Sequence, residues 1–134
     1  MDCIFCKIIA KEIPSEIIYE NDKVFAFLDT NPVNPGHTLV IPKTHNENLI
    51  DTEDELLCEI ILTVKKIAPA IIKAVGAEGY NLGVNSGTVA GQVVFHTHFH
   101  IMPRFEGDGH RHWNKKPYKE GEIGEVALKI IAEL

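Results

Sequence analysis

The stretch DTEDELLCEIILTVKKIAPAIIKAVG, residues 51–76, sets Leu57, Ile60, Ile61, Val64, Ile67, Ala68, Ile71, Ile72 and Val75 at helical i, i+3, i+4 recurrence. One wide apolar face results, and the rest of the chain has to cover it. Thr52 and Glu55 have the spacing of a capping box, Gly76 supplies the stop, and Pro69 predicts a kink in the second half. Cys58, between Leu57 and Ile60, reads as a small buried hydrophobe.

The remaining segments are short. Residues 4–11, IFCKIIAK, suit a brief helix ending before Pro14. SEIIYEND and KVFAFLD flank Asn21-Asp22 as the arms of a hairpin, and NPVNPG is a loop. HTLVIP is a strand apolar on both faces, and YNLGVNSG and VVFHTHFHIMP are two more, separated by the loop GTVAGQ. A polar stretch, RFEGDGHRHWNKKPYKEGE, precedes a last amphipathic segment, IGEVALKIIAEL. Strand pairs joined by short loops, with helices between groups, predict an α+β fold: an antiparallel sheet of about five strands, one long helix and one or two short ones. No repeat or low-complexity linker divides the 134 residues. They are expected to form one domain, 1–134, whose core buries roughly two thirds of the unfolded surface, with 103–134 as a tail ending in a helix.

Nineteen acidic against thirteen basic side chains give a net charge of −6. The basic residues are scattered, which argues against nucleic-acid binding. No run approaches about 18 apolar residues and the N-terminus lacks the pattern of an export signal, so no membrane association and a cytosolic location are expected. Three cysteines, an odd number, point to reduced thiols or a metal site.

Chemistry concentrates in FHTHFHIMPRF, residues 95–105. Strand alternation places His96, His98 and His100 on one face, about 6.5–7 Å apart per step, with Thr97 and Phe99 on the other. Spacing alone leaves open a shared metal, a metal-free catalytic set or an accident. Cys3 and Cys6 form a CxxC whose two thiolates could grip one tetrahedral ion. By itself His37, at the start of a strand, reads as exposed to water. Histidines two apart in a Gly/Asp-rich loop usually face solvent, so His110, Arg111, His112 and Trp113 are not read as a second cluster.

GHTLVIPKTH at 36–45, DTNP at 29–32 and GQVVFHTHFHIMPR at 91–104 together resemble the histidine triad family of nucleotide-binding hydrolases and transferases. The likeness runs from CIFCKIIAKEIP through Arg104. It implies His98 as a nucleophile forming a covalent nucleotidyl-histidine, His100 as the α-phosphate contact, and His37 as a hydrogen-bonding support. Cys3, Cys6, His45 and His96 match the ligands of a structural Zn2+ in bacterial-type members, with no catalytic metal expected. Ile4, Phe5, Ile8, Phe27 and Leu28 match the base cleft, and Asp29 the ribose acceptor. Asn85, Gly91, Gln92, Val93 and Val94 match the phosphate-facing loop. Val93 departs from the serine of many members, and its side chain cannot donate a hydrogen bond to a leaving group. The resemblance also implies a homodimer with joined sheets and a purine nucleotide substrate, with nucleoside 5′-phosphoramidates first. The rivals are hydrolysis of dinucleoside polyphosphates, a binding module with little turnover, and a zinc hydrolase in which all three triad histidines ligate.

Overall fold

Asn21 turns the first hairpin with its side chain: Oδ1 accepts the amides of Lys23 and Val24, both at 2.8 Å. Strand β1 (Ile17–Glu20) enters this turn and β2 (Val24–Leu28) leaves it. The computed structural model describes residues 2–134. Helix α1 (Ile4–Ile9) precedes the hairpin; β3 (Thr38–Pro42), α2 (Asp54–Val75), β4 (Gly79–Val84), β5 (Phe99–Arg104) and α3 (Glu122–Ala132) follow it. The five strands form one antiparallel sheet in the order β1-β2-β3-β5-β4. The expected α+β architecture is present.

Sheet and helices bury each other on two sides. Val24, Ala26, Val40, Phe99 and Ile101 meet Ile60, Val64, Ile67, Ala68 and Ile71 of α2. The opposite face carries Phe25, Phe27, Leu39 and Ile41, packed with Cys3, Phe5 and Ile8 at α1. Adjacent residues of β2 therefore serve opposite layers, which is why VFAFL and TLVIP are apolar throughout and do not alternate with polar residues.

Several local expectations are corrected. Thr52 does not cap α2: its hydroxyl donates to the Asn48 carbonyl at 2.7 Å and lies 3.0 Å from that of Thr97, while Glu53 occupies the cap position without a side-chain bond. The buried stripe of α2 is narrower than read, so Cys58 and Ile61 are exposed, and Thr63 takes a core place after donating to the Glu59 carbonyl. Gly76 does end the helix in the left-handed conformation. The sixth strand residue Arg104 closes β5, but the strand opens only at Phe99; residues 93–98 are unpaired chain, because the register against β3 begins at Val40↔Phe99. No helix among the described residues is long and apolar enough to cross a membrane. Helix α3 buries none of its residues, and Ile123, Leu128, Ile130 and Ile131 face outward.

Candidate active site

Two groups of side chains meet at residues 96–100. The first gathers around His96, which is fully buried. Its Nε2 lies 2.8 Å from the Pro42 carbonyl. A carbonyl only accepts, so the ring donates from Nε2 and keeps its lone pair on Nδ1. That nitrogen lies 3.6 Å from both Cys3 Sγ and Cys6 Sγ and 3.2 Å from His45 Nδ1, and Cys6 Sγ is 3.4 Å from His45 Nδ1. A tetrahedral ion with metal–nitrogen bonds of about 2.0 Å and metal–sulfur bonds of about 2.3 Å separates two nitrogens by roughly 3.3 Å, and nitrogen from sulfur by roughly 3.5 Å. The four measured separations fall within about 0.1 Å of these, and all four donors lie within 4.8 Å of one another. Burial, then the neighbouring Cys3 sulfur, raises the Cys6 thiol; a coordinated dication reverses that direction. Cys3 also caps α1, since its Sγ accepts the Cys6 amide at 3.4 Å.

The second group is a relay. His37 is buried, contrary to the exposed reading. Its Nδ1 accepts the Val33 amide at 3.1 Å, which forces the proton of a neutral ring onto Nε2. Nε2 then donates to His100 Nδ1 at 2.9 Å, and the proton of neutral His100 must in turn sit on Nε2. That atom is enclosed and has no partner. Asp29, His37 and His100 also come within 4.8 Å of one another, yet 2.9 Å between the two nitrogens is a hydrogen bond, closer than two ligands of one ion. His98 belongs to neither group. Its Nδ1 donates to the His96 carbonyl at 2.7 Å, so Nε2 carries the free lone pair. The histidine trio is thus divided, and a single three-histidine metal site does not form.

A cavity of about 450 Å³ opens onto His98 and His100. Ile4, Phe5, Ile8, Phe27, Leu28, Asp29, Gly91, Val93 and Val94, all singled out from sequence, line it. Phe5 stands edge-on to His98 and Phe27, with ring centres 5.1 and 5.6 Å away. Ile13, Pro14, Ser15, Thr30, Asn31 and Leu39 complete the wall. Leu39 belongs to the apolar run HTLVIP, and the only sequence signal of the others is nearness to α1 or to Asp29. His37 sits behind the wall, and two expected residues do not line it. Gln92 is buried, its amide donating to the Glu47 and Val94 carbonyls at 2.6 and 3.2 Å while its oxygen accepts the Gly87 amide at 2.9 Å. It braces the loop from inside, which corrects its expected phosphate-facing side chain. Asn85 packs behind Gly91, where an added Cβ would lie 3.4 Å from its amide nitrogen.

Burial lowers His37, His96, His98 and His100. His100 goes furthest, from 6.5 to about 4, through burial first and then through His98 and His37. Between those values the unfolded chain binds more protons than the folded one, so stability is present above pH 6.5 and is lost as pH falls toward 4. Urea midpoints should decline steadily over that window, and His100→Asn should flatten the slope; equal slopes would refute the assignment.

Sheet, divided histidines and cavity define a small α+β protein that presents a deprotonated ring nitrogen to an apolar pocket. A model of the HIT domain matches residues 10–107, and the chain belongs to this family of nucleotide-binding proteins and hydrolases. An uncharacterised HIT-like protein of Methanocaldococcus jannaschii is 51% identical over 133 residues, covering 98% of both chains. An Arabidopsis thaliana protein named adenylylsulfatase HINT3 is 49% identical over 107 residues, 80% of this chain and 54% of its own. Among solved structures, a HIT family member from Bacillus subtilis superposes with a TM-score of 0.91 at 46% identity, covering 100% of this chain and 98% of that one. A zinc-bound histidine triad protein from Mycobacterium smegmatis gives 0.78 at 34% identity, covering 100% and 99%.

Proposed function

We propose that the protein cleaves purine nucleoside 5′-phosphoramidates or related nucleotidyl compounds at the α-phosphate. The observation that carries this reading is the fixed tautomer of His98, whose Nδ1 is held by a backbone carbonyl while Nε2 remains free at the cavity. His98 Nε2 attacks phosphorus, the bond to the leaving amine breaks, and the amine departs with a proton taken from solvent water, which the attacking water of the second step returns. Water then attacks the nucleotidyl-histidine, releasing the nucleoside monophosphate and restoring the ring. His100 Nε2–H meets a nonbridging phosphate oxygen, where charge builds in both steps. Phe5, Ile8, Phe27 and Leu28 clamp the base, Asp29 accepts from the ribose, and the backbone amides of Val93 and Val94 approach the phosphate, those of Gly91 and Gln92 donating to the Thr88 and Gly87 carbonyls. Neutral histidines suit these roles at pH 7, and burial keeps them neutral.

Cys3, Cys6, His45 and His96 would hold a structural Zn2+, in keeping with the zinc-bound relative and with the donor spacing. The ion would tie α1 to the catalytic segment and supply no step of the reaction. A homodimer is supported by β4, an edge strand with Tyr80 and Leu82 exposed beside a groove of about 860 Å³ against α2.

A second reading keeps the nucleophile and changes the leaving group. Val93 is 85% exposed at the cavity and its side chain offers no donor, and the Arabidopsis relative is named for a nucleotidyl sulfate. Acid-quenched protein incubated with adenosine phosphoramidate, adenylyl sulfate or diadenosine tetraphosphate should carry a nucleotidyl adduct on His98, fastest with the phosphoramidate. An adduct elsewhere would refute His98 as the nucleophile, and tight nucleotide binding with neither adduct nor turnover would refute the enzyme reading in favour of a binding module.

A further inference from the structure

We propose that Asp108 is a positioning residue for the His37–His100 pair: it holds the turn at residues 33–34, and with it the Val33 amide that decides which nitrogen of each ring carries a proton. The kinetic part of this inference rests on the hydrolase reading above; the structural part does not.

Asp108 is more heavily engaged than a turn requires. Its side chain is 6% exposed. Oδ2 accepts from Arg104 Nε at 2.7 Å, from the Phe105 amide at 3.1 Å and from Asn34 Nδ2 at 3.0 Å. Oδ1 accepts from Arg104 Nη2 and the His110 amide, both at 3.0 Å. Arg104 is itself fixed to the sheet, since Nη1 donates to Asn81 Oδ1 of β4 at 2.8 Å. The carboxylate is thus a rigid point at the end of β5, charge-assisted on both oxygens.

From that point two short paths reach the relay. Asn34 Nδ2 donates to Asp108 and also to the Pro103 carbonyl at 2.9 Å, and the Asn34 carbonyl accepts the His37 amide at 3.1 Å. His110, whose amide Asp108 holds, donates from Nε2 to the Val33 carbonyl at 2.9 Å. The Val33 amide is the group that meets His37 Nδ1. Both the backbone and the ring of His37 are therefore referred to residues 33–34, and both of those residues are anchored on the Asp108 segment. Residues 30–33 are exposed, so apolar burial does not hold the turn. Without these bonds the Val33 amide is free to leave, and the His37 proton is free to move to Nδ1.

The test uses long-range 15N–1H spectra of the histidine rings and steady-state hydrolysis of adenosine phosphoramidate by the full chain. Wild type should show His37 as the Nε2–H tautomer alone. Asp108→Asn should add a clear Nδ1–H population and lower kcat about tenfold or more, as misplacement of a reacting constellation by a remote change does, with KM changed less than about threefold. Asn34→Ala, which leaves the Arg104–Asp108 pair in place, should do the same and serves if Asp108→Asn fails to fold. A folded variant with the wild-type tautomer pattern overturns the proposal, as does a shifted pattern with unchanged kcat. If wild type hydrolyses nothing, the hydrolase reading fails alone, since the ring spectra still decide whether Asp108 sets the tautomer.

Discussion

Replacing His98 with alanine is expected to lower kcat for phosphoramidate hydrolysis by about 10⁴-fold or more, as loss of a covalent nucleophile does elsewhere. Nucleoside monophosphate should still bind within severalfold of wild type, because the apolar wall formed by Phe5, Ile8 and Phe27 is untouched. Glutamine would not rescue: it restores bulk at the cavity without a basic ring nitrogen. Single-turnover quench and equilibrium binding separate the two quantities. Activity retained within tenfold would eliminate His98 as the nucleophile and move attention to His100. That outcome conflicts with the relay, since His100 Nδ1 is occupied and its Nε2 carries the proton.

Removal of metal should have the largest effect on stability. Zinc at about a thousandfold over its dissociation constant contributes about 4 kcal/mol to the folded state, and for a domain of this size each kcal/mol corresponds to roughly 3–4 °C. A midpoint lower by roughly 12–16 °C is therefore expected after chelation, or in Cys6→Ala and His45→Ala. Cys58→Ser, at an exposed thiol on α2, should leave the midpoint in place. Nucleotide affinity should fall together with stability, because Cys3 and Cys6 fasten the same α1 whose Ile4, Phe5 and Ile8 line the cavity. Superimposable melts, with metal analysis confirming complete removal, would show that the four donors hold no stabilising ion.

The elements legible in the sequence are those whose environment is uniform along their length. Helix α2 is legible because one side, from Leu56 to Ile71, meets the sheet for about four turns, and β2 and β3 read as unbroken apolar runs because both sides are covered. The triad, the CxxC and the cavity-lining residues of α1 and β2 were legible through motif spacing. What was not legible depends on where a loop goes. Thr52 has a capping residue's chemistry, but the 46–52 loop offers it the Asn48 carbonyl first. Gln92 looks like a polar contact for a ligand, yet the chain folds it inward toward Glu47, 45 residues away. Segment 93–98 alternates like a strand in sequence, and His96 and His98 do turn to Phe5 while Thr97 turns to Thr52, but Val93 and Val94 line the same cavity and the Thr97 amide bonds to Asn46 in a loop, so no ladder forms. Asn34 and Asp108 lie 74 residues apart, and no local pattern announces their contact.

The three rings that matter most, His37, His96 and His98, take their proton positions from Val33 N–H, Pro42 C=O and His96 C=O. All three are peptide groups, present whatever side chain a residue bears. Alanine at position 33 would leave the peptide N–H in place, and any residue there but proline keeps the acid–base wiring intact as long as Asn34 and Asp108 hold the turn. The site's chemistry is therefore inherited as loop shape. Transplanting it to another sheet would mean carrying the 29–42 and 92–110 segments whole, since the four histidines alone would arrive with their protons unassigned.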